Sequence, residues 1–232
     1  MKKSGFTLAE VLITLSIVGV IAALTIPMLV SSSRNQANAS KLSATLSTVE
    51  SALTSAIAQD GADDIYETDL WTNGLAKFGD YAQASLYDGD DFYADKTVKQ
   101  LDKTALETKP SGTIYQLKSG AVVFFSDIVA EPADDSDKVA ELGGALHSPA
   151  ATVMIDVNGT DVPNMYGRDI FYYKLGDNGH LYPYGGRDVS ISVKEDTAHV
   201  WDADKSDYPC VAGSTGLGCA ARLMAEGYKM NY

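Results

Sequence analysis

The strongest constraint on the fold of this chain is an uncharged run of twenty residues, Val11 to Val30, close to the amino terminus. As a helix with a rise of about 1.5 Å per residue, this run is about 30 Å long, which is enough to cross the hydrocarbon core of a bilayer. Lys2 and Lys3 precede it, and Glu10 is the single acid at its entrance. No small-residue cleavage site of an ordinary secretory signal is evident after it.

A plain membrane anchor accounts for the length of the run and for the two lysines, which would stay on the cytoplasmic side. It does not account for Glu10. A carboxylate at the centre of a membrane helix costs about 2.5–3.5 kcal/mol on insertion scales, and less near the interface. An ionisable group in such a segment therefore indicates a function, and a partner for its charge.

The residues around this acid resemble a known signature. Gly5-Phe6-Thr7-Leu8-Ala9-Glu10, between a short basic leader and a long apolar helix, is similar to the prepilin signature of type IV pilins and type II secretion pseudopilins. In that family a membrane peptidase cuts after the glycine, and the new terminal phenylalanine is N-methylated. The resemblance implies cleavage between Gly5 and Phe6, and methylation of Phe6. It also places Gly19 and Pro27 where family members have a helix-weakening glycine and proline.

The charges of the signature suggest how subunits would assemble. Cleavage at Gly5 makes Phe6 a cationic amino terminus one helical turn from Glu10. An ammonium and a carboxylate are each costly in lipid and much cheaper as a pair. If Glu10 meets the terminal amine of a neighbouring copy, the pair sets the stagger between subunits. Pro27 lacks a backbone donor, so we expect a kink or local melting between Val20 and Pro27.

The helix is predicted to continue beyond the apolar run. Apolar residues recur at spacings of three and four, which places them on one helical face; they are Leu42, Leu46, Val49, Leu53 and Ile57. No glycine or proline interrupts the chain from Ser31 to Asp60, and Gly61 is a plausible stop. We predict one helix from about Phe6 to Gln59, with two helices hinged near Pro27 as the alternative.

The rest of the chain predicts an α+β fold, pilin-like, with a long amino-terminal helix on a small antiparallel sheet. Residues 61–110 are irregular, with a short helix indicated by Leu70, Trp71, Leu75 and Phe78. Strands are predicted at 113–117, 121–125, 151–157, 169–175 and 180–182, with one sheet face on the helix and the other outward. The expected division is a leader at 1–5, a membrane or filament-core helix at 6–30, an amphipathic continuation at 31–60, a variable connection at 61–110 and a globular region at 111–232.

Two cysteines, Cys210 and Cys219, are the only ones in the chain. If the domain lies outside the cytoplasmic membrane, a disulfide closing the carboxyl-terminal segment is the natural interpretation. Two free thiols would require a cytosolic domain. A zinc site is weakly supported, because there is no C-x-x-C pair and His147, His180 and His199 are scattered.

Oxygen ligands concentrate in one stretch, with Asp156, Asn158, Asp161 and Asp169 as candidate ligands for calcium. The spacing is not that of an EF-hand, because the glycine stands at the fourth position of the stretch. The stretch resembles the calcium loop of some pseudopilins only in its general composition. The alternative is an Asx-rich connection in which Asn158-Gly159 turns the chain and Asp161 is solvated. The acidic clusters at 88–91 and 134–137 are predicted to be solvated turns.

No catalytic motif is evident: the chain has no G-x-S-x-G elbow, Walker loop or H-E-x-x-H. Acids outnumber bases 31 to 18, so direct nucleic-acid binding is not expected. The first hypothesis is a non-enzymatic subunit of a type IV pilus or secretion pseudopilus. The resemblance implies as partners a prepilin peptidase and methylase, the bacterial cytoplasmic membrane, and copies of the chain or related pilins. The alternative is a membrane-anchored extracytoplasmic binding module, calcium-dependent or not, that never polymerises.

Overall fold

The computed structural model describes residue 5 and residues 7–89, 91–131, 140–142, 145–147, 149–185 and 209–232. Phe6, all of the predicted turn at 134–137 and one residue of the turn at 88–91 lie outside the described residues.

A single helix, α1 (Leu8–Asp60, 53 residues), forms the amino-terminal part of the fold. It ends at Gly61, whose φ of 64° is left-handed and whose N–H donates to the carbonyl of Ile57. Glycine takes this conformation without a Cβ penalty, so it ends the helix as predicted. The helix continues unbroken through Gly19 and Pro27. The local melting predicted there is therefore wrong, because Pro27 removes only one backbone donor from a long helix, and the kink predicted as the other outcome stays a prediction.

The connection that follows contains two short helices, α2 (Asp69–Thr72) and α3 (Phe78–Ala82). The side chain of Thr68 caps α2 by accepting from the backbone N–H of Trp71. The chain leaves helical geometry at Asn73-Gly74, where Gly74 has a φ of 63°, as the sequence indicates. Trp71 and Phe78 are both buried, so these helices add apolar side chains to the core beneath α1.

Six antiparallel strands form the main sheet in the order β1-β2-β3-β6-β7-β8. The bounds of these strands are β1 Ala84–Leu86, β2 Thr113–Leu117, β3 Val122–Ser126, β6 Pro149–Asp156, β7 Ile170–Gly176 and β8 Leu181–Pro183. A separate pair, β4 (Ala140–Leu142) and β5 (Ala145–His147), lies between β3 and β6 in the chain. The predicted α+β, pilin-like architecture is confirmed, with β1, β4 and β5 as additional strands.

One face of the sheet packs against the carboxyl-terminal half of α1. Alternate residues of neighbouring strands point to this face, as a two-residue period requires. Val123 and Phe125 of β3 and Val153 of β6 share a core with Leu42 and Leu53 of α1, and all five are fully buried. This arrangement matches the helical face predicted from the spacing of apolar residues.

The opposite face of the sheet is covered, so the prediction that it faces outward is wrong. Phe124 of β3, Met154 of β6 and Ile170 of β7 form a second buried cluster with Tyr93 and Val98 from the connection after β1. The ring of Tyr93 stacks on that of Phe124 with centroids 5.7 Å apart. Residues 92–106 lack a regular apolar period, which is why the sequence does not reveal that they cover a sheet.

Polar contacts also fix the sheet on the helix. The backbone N–H of Leu181 donates to the Glu50 carboxylate at 3.0 Å, and Asn38 Nδ2 donates to the carbonyl of Arg168 at 3.1 Å. The last helix, α4 (Cys219–Ala225), contacts β7. The amphipathic half of α1 is thereby held at both of its ends.

Candidate functional site

The candidate processing site lies before the first helical turn. Gly5 is exposed and non-helical, and Thr7 has an extended backbone (φ −80°, ψ 153°) as the N-cap of α1. Since α1 begins at Leu8, the bond between Gly5 and Phe6 precedes the helix. An extended backbone is the form that a peptidase can accept without unwinding a helix. The position of Phe6 itself lies outside the described residues.

Glu10 closes a capping box with Thr7. Its Oε2 accepts hydrogen bonds from the backbone nitrogen and from Oγ1 of Thr7, both at 2.8 Å, while Thr7 Oγ1 accepts from the Glu10 N–H at 3.3 Å. Such reciprocal bonds satisfy orphan donors of the first turn and place the carboxylate at the positive end of the helix dipole. Glu10 is exposed, so its carboxylate is open to a further partner.

The apolar half of α1 is not covered by the other parts of the chain that the structure describes. Among the described residues, one helix is long and apolar enough to cross a membrane, and none of its most apolar window is buried inside the protein. Leu24 is 73% exposed, whereas Leu53, on the same helix, is fully buried. Gly19 has no heavy atom within 4 Å of where a Cβ would stand, so its position leaves room for a close neighbour. The helix therefore divides into an uncovered apolar half and a packed amphipathic half.

The predicted calcium loop joins β6 to β7 and brings two buried acids together. Asp156 and Asp169 are both fully buried. Asp156 accepts from the Tyr93 hydroxyl at 2.6 Å and from the Asn158 N–H at 3.0 Å. Asp169 accepts from the backbone nitrogens of Asn164 at 2.9 Å and Met165 at 2.6 Å. Asp156 ends β6 and Asp169 comes just before β7, so the two carboxylates accept backbone hydrogen bonds at the two ends of the loop.

These acids have unusual titration behaviour. Burial raises the pKa of Asp156 to about 7, against the hydrogen bond from Tyr93, and the neighbouring Asp169 raises it further. Burial likewise raises the pKa of Asp169 to about 6, against its backbone hydrogen bonds. Among the described residues, no arginine, lysine or histidine forms an ion pair with either acid. Their charge therefore calls for a proton or a bound cation.

Two amide oxygens in the same loop have no hydrogen-bond partner among the described residues: Oδ1 of Asn158 and Oδ1 of Asn164. Asn164 is 1% exposed. Asp161 is exposed instead, and its backbone carbonyl accepts from Asn158 Nδ2 at 3.0 Å. Within the described part of the chain, no three His, Cys, Asp or Glu side chains are grouped to hold a metal. An oxygen site here would combine two carboxylates with amide and backbone oxygens, which is the chemistry that calcium accepts.

The oxygen-rich stretch of the sequence includes Asn164, but sequence reasoning missed the contact that Tyr93 makes with this loop. Asn164 has a left-handed φ of 46°, and its N–H and side chain turn the chain beside Asp169. Its place between two aspartates was a usable signal. Tyr93 comes from a segment 63 residues earlier, and nothing local in the sequence indicates its contact with Asp156.

The predicted disulfide between Cys210 and Cys219 is present. It packs against the loop between β6 and β7, because a Cβ at Gly167 would lie 2.6 Å from Cys219 Sγ. The φ of Gly167 is 74°, a conformation that also favours glycine. The carboxyl terminus packs against the same loop, because the Tyr232 hydroxyl donates to the Gly167 carbonyl at 2.9 Å. The disulfide therefore holds the terminal segment against this loop.

Comparison with known proteins adds one finding to this geometry. Residues 1–26 match the family model described as the prokaryotic N-terminal methylation motif. Neither the curated proteins nor the solved structures contained a match to the chain. The motif covers the processing site, Glu10 and most of the apolar half of α1, and together with that helix it fits a membrane-anchored, processed subunit. The chain therefore carries the amino-terminal signature of type IV pilins and pseudopilins on a fold of pilin-like architecture.

Proposed function

We propose that this protein is a structural, non-enzymatic subunit of a type IV pilus or a secretion pseudopilus. In this account it is inserted in the bacterial cytoplasmic membrane with its globular region outside. A prepilin peptidase cuts it between Gly5 and Phe6 and methylates Phe6. It then joins copies of itself or related pilins through the amino-terminal half of α1.

The observation that carries this proposal is the division of α1. A free-standing domain would not leave the long apolar run of one helix uncovered while packing the next part of the same helix tightly. Lipid covers such a surface before assembly, and neighbouring helices cover it afterwards. Within this one continuous helix, Leu24 is exposed and Leu53 is fully buried.

Pairing of the Glu10 carboxylate with the amine of a neighbouring subunit would set the axial register between the two helices. The Glu10 carboxylate is exposed at the amino-terminal end of the helix, four residues along the chain from Phe6, on which cleavage would create the amine. In a low-dielectric core, a carboxylate and an amine from adjacent subunits attract each other far more strongly than in water. The capping box leaves lone pairs of the carboxylate for this contact.

A cross-linking experiment tests assembly directly. Both native cysteines are joined in the disulfide, so Ile17→Cys, at a site 54% exposed in the apolar half, would supply a single free thiol. In cells with the assembly machinery, oxidation should give disulfide-linked dimers of this variant. The Ile17→Cys variant carrying Glu10→Ala is the matched control and should give few. Equal cross-linking in both would contradict the role of Glu10, and no cross-linking in either would favour the non-polymerising tether.

We also propose that the loop between β6 and β7 binds calcium. The supporting observation is the combination of two buried, uncompensated carboxylates, Asp156 and Asp169, with the unpartnered amide oxygens of Asn158 and Asn164. The backbone carbonyl of Asp161 lies beside them. A divalent cation would supply the positive charge that the described side chains do not, and it would stabilise the folded loop.

Thermal unfolding of the full chain in detergent at pH 7.5 tests this second proposal. Calcium at millimolar concentration, compared with EDTA, should raise the Tm by about 3 °C or more. The Asp156→Asn, Asp169→Asn double variant should lose this response, and Asp88→Asn, at an exposed turn, should keep it. A calcium response of equal size in the double variant, or none in the natural protein, would contradict the site.

A further inference from the structure

A cleft of about 1050 Å³ lies where α1 leaves its apolar half and meets the base of the globular region. Ile26, Pro27 and Val30 of the apolar run line one end of it. Val162, in the loop between β6 and β7, also lines it and is 71% exposed. The cleft is therefore continuous with the surface that a bilayer would cover.

The charge of this cleft is opposite to that of the chain. Four basic side chains and one acidic side chain line it, although the whole chain has a net charge of −13. The basic residues are Arg34 and Lys41 of α1, Lys103 of the connection before β2, and Arg168. They come from three distant parts of the sequence, so the fold itself creates the basic surface.

Three of these cations form no ion pair within the described part of the chain. Arg168 is engaged, since its guanidinium lies 5.4 Å from the centre of the Tyr232 ring and donates to the Tyr232 carbonyl. Arg34, Lys41 and Lys103 are exposed, and none of them forms an ion pair with a described residue. A cluster of exposed, unpaired like charges on an acidic protein favours a negatively charged partner.

The position of the cluster identifies that partner. Arg34 follows Val30 by four residues, which is about 6 Å along the helix axis and matches the depth of the headgroup layer outside the hydrocarbon core. Asn38, four residues after Arg34, donates to the carbonyl of Arg168, so α1 and the loop carrying Arg168 are joined at this cleft. We propose that this cleft binds the headgroups of anionic phospholipids in the outer leaflet of the membrane that α1 spans. This inference rests on the membrane insertion in the proposed function.

The binding would have a structural consequence. Lipid phosphates beneath Arg34, Lys41 and Lys103 would hold the globular region against the bilayer at a fixed height, and Val162 would enter the interface beside them. Basic residues near an anionic surface each contribute to such attachment, and the contribution falls off within a Debye length. The lipid contacts would therefore fix the orientation of the globular region on the membrane, in addition to the anchoring of the unassembled subunit by α1.

The full, unprocessed chain reconstituted in phosphatidylcholine vesicles provides the test. Spin-labelled phosphatidylglycerol and spin-labelled phosphatidylcholine are added in turn, and the fraction of each that is immobilised by the protein is measured by electron paramagnetic resonance. We expect a preference for the anionic lipid of about three- to fivefold. The variant combining R34Q, K41Q and K103Q should lose at least half of that preference. Lys2 and Lys3 remain in every sample, so their contribution is constant.

The matched control combines K77Q, K118Q and K229Q, which removes three exposed charges that do not line the cleft. It should keep the preference of the natural chain. Equal losses in both triple variants, or a loss in neither, would overturn the lipid site. Flotation and alkaline extraction of the vesicles measure insertion separately: protein that fails to insert overturns the membrane premise of the proposed function, whereas inserted protein without a cleft effect overturns this inference alone.

Discussion

Glu10 Oε2 lies 2.8 Å from the backbone nitrogen of Thr7, so the acid of the processing signature also caps the helix that it introduces. The two roles make different demands. Capping requires an oxygen that accepts the Thr7 donors, which glutamine supplies as well as glutamate. Pairing with a terminal amine requires the negative charge.

The first prediction separates these roles. Glu10→Gln should keep the capping box and insert normally, yet assemble as poorly as Glu10→Ala, because neither variant offers a charge to the neighbouring amine. The measurement is the amount of sheared filament recovered from cells, with the membrane-inserted pool as the control. Normal filament yield from Glu10→Gln would show that the cap, rather than the charge, is what assembly needs.

The second prediction concerns the two halves of α1. Leu53→Ala removes a fully buried side chain and should lower the free energy of unfolding of the globular region by about 2–5 kcal/mol. Leu24→Ala, on the uncovered half, should leave that free energy unchanged. Denaturant unfolding of the full chain in detergent, followed by near-ultraviolet circular dichroism, makes the comparison. Similar losses in both variants would mean that the apolar half also packs on the domain.

The third prediction concerns the disulfide. Replacing Cys210 and Cys219 together by serine should lower the free energy of unfolding by roughly 2.5–3 kcal/mol, the chain-entropy value for a loop of about ten residues. Reduction of the natural protein should have a similar effect. We expect the loss to be accompanied by proteolysis within residues 209–232, which can be mapped by mass spectrometry. An unchanged unfolding midpoint would show that the terminal segment is held by its other contacts, such as that of Tyr232 with Gly167.

The fourth prediction concerns pH. Asp156 and Asp169 have folded-state pKa values of about 7 and about 6, above the ordinary value of 3.8. At pH values between 3.8 and these raised pKa values, the folded domain keeps protons that the unfolded chain has lost. In EDTA, the free energy of unfolding should therefore fall as the pH rises from about 4 to about 7. The slope is at most about 1.4 kcal/mol per pH unit for each carboxylate.

Unfolding of the full chain at several pH values in EDTA measures this slope. The Asp156→Asn, Asp169→Asn double variant should show a flatter profile over the same range, because its amides do not titrate. A natural protein whose stability rises with pH over this range, as it does when carboxylates are salt-bridged, would contradict the buried and uncompensated state of the two acids.

Sequence patterns predicted the parts of this fold that depend on local chemistry. The three- and four-residue spacing of apolar residues predicted which face of α1 packs on the sheet, and Gly61 predicted where the helix ends. The strands predicted at 113–117 and 121–125 form the hairpin of β2 and β3, which turns at Gly120 with a φ of 85°. Each of these signals lies within a few residues of the structure that it determines.

The parts that sequence patterns did not predict depend on contacts between distant segments. Tyr93 covers the second face of the sheet from a stretch without apolar periodicity. Lys41, Lys103 and Arg168 line one cleft although they are more than sixty residues apart in sequence. Asp156 and Asp169 were predicted as candidate calcium ligands, but only the packing around them shows that they are fully buried.

Intact mass and amino-terminal sequence of the protein, taken from its own membrane in cells with a working peptidase, test the central claim most directly. The account predicts a mature chain that has lost Met1 to Gly5 and begins at Phe6 with one methyl group on its amine. A mature chain that still begins at Met1 would contradict it.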